Sequence, residues 1–278
     1  MPRSDRSIYF SIPVISQRGM GLPHELLDEI LSYLPSDSKQ DQQSLRNYSL
    51  VSKSWTNPSR RHLFKTVEIR EETLQSWLDS IPPANCELLQ HIRSLSYIAT
   101  IGTWQSSWQP EHRIDVLREY LPSLHRLQHL SLSSMHIPSE ISQQVEIFST
   151  FQHTLSRLSL ERCNITTSAL VTLINCFSNL GHLDLSYLLH EVDDKTTSPL
   201  SCPLIRKLHL SGFREDNLSI LNQLSELGLM VDELIVDCQP LGHLPTASHI
   251  VNTLGLGIKC LRLSRTSIFC MYTRQSQL

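Results

Sequence analysis

The sequence predicts an α/β protein: a short N-terminal helical module, then a solenoid of stacked strand–helix repeats sharing one parallel sheet. Three observations carry this. Leucine supplies 46 of 278 residues and glycine only 9, against roughly 20 glycines at average usage. The template apolar-x-x-apolar-x-apolar recurs six times, with central residues 25 to 28 apart. Upstream of these repeats, residues 22–64 show helical rather than alternating periodicity.

The chain opens with a tail, 1–20, expected to be disordered. Its apolar stretch Ile8 to Ile15 follows Arg3 and Arg6 but is interrupted by Ser11 and Pro13, so it is a poor secretory signal. The module spans 21–64. Leu22, Leu26, Leu27, Ile30, Leu31 and Leu34 form an apolar stripe at helical spacing. Pro23 sits where a missing N–H costs nothing, and Glu25, Asp28 and Glu29 lie on the favourable side of the helix dipole. Pro35 helps to stop this helix, and Ser36 to Gln43 reads as a polar linker. A second helix is expected from near Ser44, carrying Leu45, Tyr48 and Val51, until Pro58 interrupts it.

These residues resemble the F-box family, most of all its fungal members. The resemblance rests on Leu22-Pro23 opening an amphipathic helix, then Leu45, then Ser49-Leu50-Val51-Ser52-Lys53-Ser54-Trp55, then Arg61-His62-Leu63-Phe64. It implies a module that docks on the Skp-type adaptor of a cullin-based (SCF-type) ubiquitin ligase. It also implies that Leu22, Pro23, Leu26, Ile30, Leu45, Leu50, Val51 and Trp55 form or support the docking surface. Independently, so small a module cannot bury both faces of its helices alone. Its apolar positions therefore divide between the chain's own core and a partner.

The repeats occupy 65–264. Their central residues are Leu130, Leu158, Leu183, Leu208, Leu234 and Leu261, and weaker copies centre on Val67 and Leu95. The alternation in each copy reads as a strand. Between strands, Ser168 to Phe177, Leu218 to Leu227 and Thr246 to Leu254 carry helical spacing. Strand then helix at this period resembles the leucine-rich repeat family, which implies a curved parallel sheet with helices on the convex side. Leu155 to Ile165 fits the family's longer pattern, with Cys163 at its Asn/Cys position, where other copies have Met135, Leu188, Phe213, Gln239 and Thr266. A regular asparagine ladder is therefore not expected. Residues 265–278 give neither a further repeat nor an evident cap, so an exposed C-terminal edge is expected.

Because strand side chains alternate, residues between the leucines line the opposite, concave face. One column is His129, Arg157, His182, Lys207, Glu233 and Cys260; the next is Ser131, Ser159, Asp184, His209, Ile235 and Arg262; the third is Ser133, Glu161, Ser186, Ser211, Asp237 and Ser264. Arg157, His182 and Lys207 fall in adjacent rows, which suits a polar target, acidic or phosphorylated. The candidate target-binding residues are His129, Arg157, Glu161, His182, Asp184, Lys207, His209, Glu233, Asp237 and Arg262. A solvated sheet face with no ligand is the competing reading.

No sequence motif supplies catalysis. HExxH, GxSxG and the phosphate loop do not occur. Gly255-x-Gly257 reads as a helix-end turn. His125 and His129 are four apart, but His129 falls on an expected strand, so no metal site is expected and no cofactor is implied. The net charge of −3 offers no footprint for nucleic acid, and no apolar run is long enough to span a membrane. Seven cysteines without a close pair point to free thiols in a reducing compartment, cytoplasmic or nuclear. The expected function is a non-catalytic substrate receptor of the ligase, with the target itself unknown. A leucine-rich repeat scaffold without a ligase, a hydrolase built on exposed Ser and His, and a secreted protein glycosylated at Asn164 or Asn217 are the alternatives.

Overall fold

The computed structural model describes residues 22–34, 39–80, 87–99, 121–137, 148, 150–191, 204–213, 218–238, 244–254 and 257–265. The expected tail at 1–20 lies outside the described residues, as do positions 266–278 of the expected uncapped end.

Helices α1 (His24–Ser32), α2 (Lys39–Ser49) and α3 (Lys53–Leu63) form the module. The first backbone bond of α1 runs from Leu27 N–H to the carbonyl of Pro23 (3.1 Å). The apolar stripe then splits in two. Leu27 and Leu31, one turn apart, are buried, as is Leu45 of α2, whereas Leu22, Leu26 and Ile30 stay about half exposed. This divides the expected docking set, because Leu45 is buried and Leu22, Leu26 and Ile30 are not.

The second helix departs from expectation at both ends. It starts at Lys39, inside the expected linker, and ends at Ser49. Pro58 does not stop a helix but lies within α3, buried beside Ser59. The break falls instead at Leu50 to Ser52. Ser52 is extended (φ −161°) and so cannot continue the helix. The single Thr56 hydroxyl proton lies between the carbonyls of Ser49 (3.0 Å) and Ser52 (3.1 Å), and the Ser52 carbonyl also accepts the N–H of Trp55 (3.1 Å). Breaking there turns Leu50 and Val51 outward, where they are 84% and 66% exposed.

The rest of the described chain is built on parallel strands. β1 (Thr66–Arg70) is followed by α4 (Glu71–Ser80), an element the periodicity did not indicate. Then come β2 (Ser94–Ile98), β3 (His129–Ser133), β4 (His136–Ile137), β5 (Arg157–Glu161), β6 (Asn164–Thr166) and α5 (Thr167–Asn175). β7 (His182–Ser186), β8 (Leu189–Glu191), β9 (Ile205–Ser211), α6 (Leu218–Glu226), β10 (Val231–Cys238), α7 (Leu244–Leu254) and β11 (Cys260–Arg265) complete the order. The main sheet runs β1-β2-β3-β5-β7-β9-β10-β11, each strand beside the next of its own members along the chain. The two weak sequence copies are thus strands of the same sheet.

Register aligns the leucines in rows. Val67, Leu95, Leu130, Leu158, Leu183, Leu208, Leu234 and Leu261 lie side by side, as do Ile69, Tyr97, Leu132, Leu160, Leu185, Leu210, Val236 and Leu263. From β1 to β10 both rows are buried in one continuous core with inward residues of α5, α6 and α7. Each leucine withdrawn from water contributes roughly 1.5–3 kcal/mol. On β11 the rows run out of cover, and Leu261 and Leu263 are 42% and 57% exposed. Phe148 and Phe151, ahead of β5, pack with Phe177, which follows α5, and Phe151 stacks on Phe177 at 6.0 Å. Thr166 caps α5 by accepting the N–H of Ala169 (3.2 Å).

Just after four strands the chain turns through the left-handed region, at Ser134 (φ 59°), Arg162 (φ 53°), Tyr187 (φ 51°) and Gly212 (φ 63°). The N–H groups of the first three each bond across to the next repeat, to the carbonyls of Glu161, Ser186 and Ser211 (2.8 Å each). The following residues, Met135, Cys163, Leu188 and Phe213, are buried at the position that the resemblance to leucine-rich repeats would assign to Asn or Cys. Cys163 alone among them has a polar side chain, and its thiol donates to the carbonyl of Leu132 (3.3 Å). Burial pushes that thiol up to about 12. Backbone pairing substitutes for a ladder. Asn164 N–H bonds to Met135 (2.8 Å) and Leu189 N–H to Cys163 (2.9 Å), and β4, β6 and β8 form a second parallel sheet. Gln239 and Thr266 lie outside the described residues.

Candidate functional site

Two surfaces stand out, one on the module and one on the sheet. On the module, Leu22, Leu26 and Ile30 form an outward ridge along α1, and Leu50 and Val51 form a second outcrop at the α2–α3 corner. Pro23 is exposed beside the ridge. Trp55 is half-buried, with its ring 5.4 Å from that of Tyr48, which holds the corner. The carboxylate of Asp28 lies 3.4 Å from Arg61 Nη1 and 3.8 Å from His62 Nε2, linking α1 to α3. His62 is held below its ordinary value by burial, with Asp28 opposing the shift. The five apolar side chains of the ridge and the second outcrop are left in water at a cost in free energy.

On the sheet, the side opposite the leucine rows carries the three expected columns, in register. His129, Arg157, His182, Lys207, Glu233 and Cys260 form one; Ser159, Asp184, His209, Ile235 and Arg262 lie along the second; Glu161, Ser186, Ser211, Asp237 and Ser264 along the third. What alternation could not show is how these groups pair. Arg157 Nε donates to Asp184 Oδ2 (2.7 Å) and the Ser159 hydroxyl donates to the same oxygen (2.9 Å). Lys207 Nζ lies 3.8 Å, and Arg262 Nε 3.1 Å, from Glu233 Oε1. His209 stands between two carboxylates, Nδ1 at 3.5 Å from Asp184 Oδ1 and Nε2 at 3.0 Å from Asp237 Oδ2. Ser264 donates its hydroxyl to Asp237. The basic character read from Arg157, His182 and Lys207 is therefore largely cancelled within the face. An acidic or phosphorylated target would have to displace Asp184 and Glu233 from their cations. His182 and Glu161 are exposed.

This network shifts its members. Burial pushes Asp184 upward, but hydrogen bonds from His209, Arg157 and Ser159 outweigh it and hold the carboxyl well below the usual carboxylate range. The bond to Asp184 raises His209 above its ordinary 6.5, against partial burial and with help from Asp237. The stabilisation from His209 is thus complete below about 6.5 and lost as pH rises through its folded value. That from Asp184 is present above about 3.8 and lost as pH falls through its folded value. His62, His91 and His129, all lowered chiefly by burial, act in the opposite sense to His209. The difference in urea midpoint between wild type and His209→Asn should therefore shrink as pH rises above 6.5. A constant difference from pH 6 to 9, on the order of the working range of such a titration, would contradict the assignment.

Serine and histidine do meet on this face. His129 Nδ1 is 3.1 Å from the Ser94 hydroxyl and Nε2 is 3.2 Å from that of Ser159. The order is carboxylate, serine, histidine, serine. A nucleophilic triad instead places the carboxylate on the imidazole so that the ring can take the serine proton. A second contact, His153 Nδ1 to the Ser178 hydroxyl (2.8 Å), is exposed.

No curated protein matches the chain. Residues 20–57, covering α1, α2 and the start of α3, match the family model of the F-box domain. The N-terminal helical module is therefore an F-box region, set before a mostly parallel α/β sheet.

Proposed function

We propose that this chain is a non-catalytic substrate receptor of an SCF-type ubiquitin ligase. Its F-box region docks on a Skp-type adaptor, and through it on a cullin. The sheet, read as a leucine-rich repeat solenoid, holds a target protein on its exposed, concave face. The observation that carries the reading is the pair of apolar outcrops, Leu22-Leu26-Ile30 and Leu50-Val51, left outward by an F-box region with a separate buried set of its own. Tethering a target beside the ligase raises its effective concentration and leaves the chemistry to other subunits. Such a receptor works inside the cell, in cytoplasm or nucleus, where the ligase is found.

Affinity purification of the tagged full chain with mass spectrometry tests this. A Skp-type adaptor and a cullin should co-purify. Recovery of other partners reproducibly without either would favour a scaffold unconnected to the ligase.

A further inference from the structure

We propose that Asp184, His209 and Asp237 form a proton-gated clasp across β7, β9 and β10, which sets the charge of the exposed sheet face. Geometry is the ground. Both ring nitrogens of His209 face carboxylate oxygens, Nδ1 toward Asp184 (3.5 Å) and Nε2 toward Asp237 (3.0 Å). A neutral imidazole has one N–H and one lone pair. In that form one nitrogen would point its lone pair at a carboxylate. Only the doubly protonated ring satisfies both neighbours. The raised titration of His209 agrees with this.

The groups around the ring confine the effect to it. On the β7 side stand Asp184 and, one column over, exposed His182. On the β10 side stand Asp237, Glu233 and the apolar Ile235, which is the register partner of His209. Lys207, on the same strand as His209, lies by Glu233, as does Arg262 from β11. Arg157 reaches only the far side of Asp184, through Oδ2, whereas His209 faces Oδ1. Ser264 is bonded to Asp237 through Oδ1 and leaves Oδ2 to His209. Among the described residues, the ion pairs seen at these carboxylates are those of Arg157 and His209 with Asp184 and of His209 with Asp237. When His209 loses a proton, the two carboxylates therefore lose their shared counter-charge, and the centre of the face turns negative. If the face holds the target, as the proposed function has it, the clasp tunes that grip: a neutral polar segment is accepted with His209 charged, and an anionic one is repelled once it is not.

The clasp itself is tested without target or adaptor, so its failure is separate from failure of the receptor reading. The imidazole Hε1–Cε1 signals of the full chain are followed by NMR against pH, with His209 assigned by its absence in His209→Asn. The midpoint should lie above 6.5, and Asp237→Asn and Asp184→Asn should each lower it. Asp237→Asn keeps the test decisive if Asp184→Asn fails to fold. Lys207→Ala should leave the midpoint within about 0.2 of wild type, a shift far smaller than that from an adjacent opposite charge. A midpoint at or below 6.5, or one that Asp237→Asn does not move, overturns the clasp.

Discussion

Leu26→Asp should weaken adaptor binding by about 100-fold while leaving the chain folded. Burying a leucine is worth roughly 1.5–3 kcal/mol, and each 1.4 kcal/mol is about tenfold in affinity. An aspartate adds the desolvation of its charge against an apolar partner. In the free chain Leu26 is 45% exposed on the outward ridge of α1, so the substitution removes little internal packing. Leu50→Asp, at the other outcrop, should act in the same direction with the same sparing of stability. Leu45→Asp is the contrasting variant, because it puts a charge at a fully buried position of α2 and should unfold the module. Titration calorimetry with a Skp-type adaptor reads the first effect, and circular dichroism reads the second. If Leu26→Asp and Leu50→Asp both bind within about twofold of wild type, a difference worth under 0.5 kcal/mol, the outcrops are not the docking surface.

The second large effect is expected at Gly212. A Cβ built there would stand 2.3 Å from Cδ1 and 2.5 Å from Cε1 of Tyr187. Rotation of the ring about its Cβ–Cγ bond cannot clear the clash, because Cγ itself would stand 2.8 Å from the added Cβ. Gly212→Ala should therefore cost about 1–3 kcal/mol for overpacking, plus roughly 1 kcal/mol for a side chain in the left-handed region. The neighbouring repeats separate these contributions. Ser134, Arg162 and Tyr187 hold the same conformation with side chains present, so the backbone cost alone is tolerable in this corner. Adding Tyr187→Ala to Gly212→Ala should recover the overpacking part and leave the conformational part. Urea unfolding of the full chain reads both. An unchanged midpoint in Gly212→Ala would show that the ring shifts at no cost.

Much of the fold was legible in the residues because its physics is local and repeated. Apolar alternation at a period of 25 to 28 residues forces strands into parallel register, since any slip would expose a leucine row. The register then places the polar columns without further information. The three helical segments between strands were legible for the same reason. The short strands β4, β6 and β8 were not, because two or three residues carry no periodicity. Nor was the left-handed corner, filled by serine, arginine, tyrosine and glycine in turn. Only the glycine advertises such a backbone.

The candidate surfaces divide in the same way. The sequence by itself determined that the first helix of the F-box region is apolar beyond what one buried face needs, and that the sheet has one leucine face and one polar face. Both follow from counting residues at helical or strand spacing. Tertiary structure alone decided which leucines are left over. Leu27 and Leu31 turn inward, Leu45 of α2 is buried as well, and Leu22, Leu26 and Ile30 turn outward. That choice depends on where α2 and α3 cross, and the crossing depends on a corner at Leu50 to Ser52 that the spacing had placed at Pro58. It also decided that Arg157, Lys207 and Arg262 are paired with Asp184 and Glu233. Those pairs lie about one repeat apart along the chain, and only the closure of each repeat onto the next brings their charges within reach.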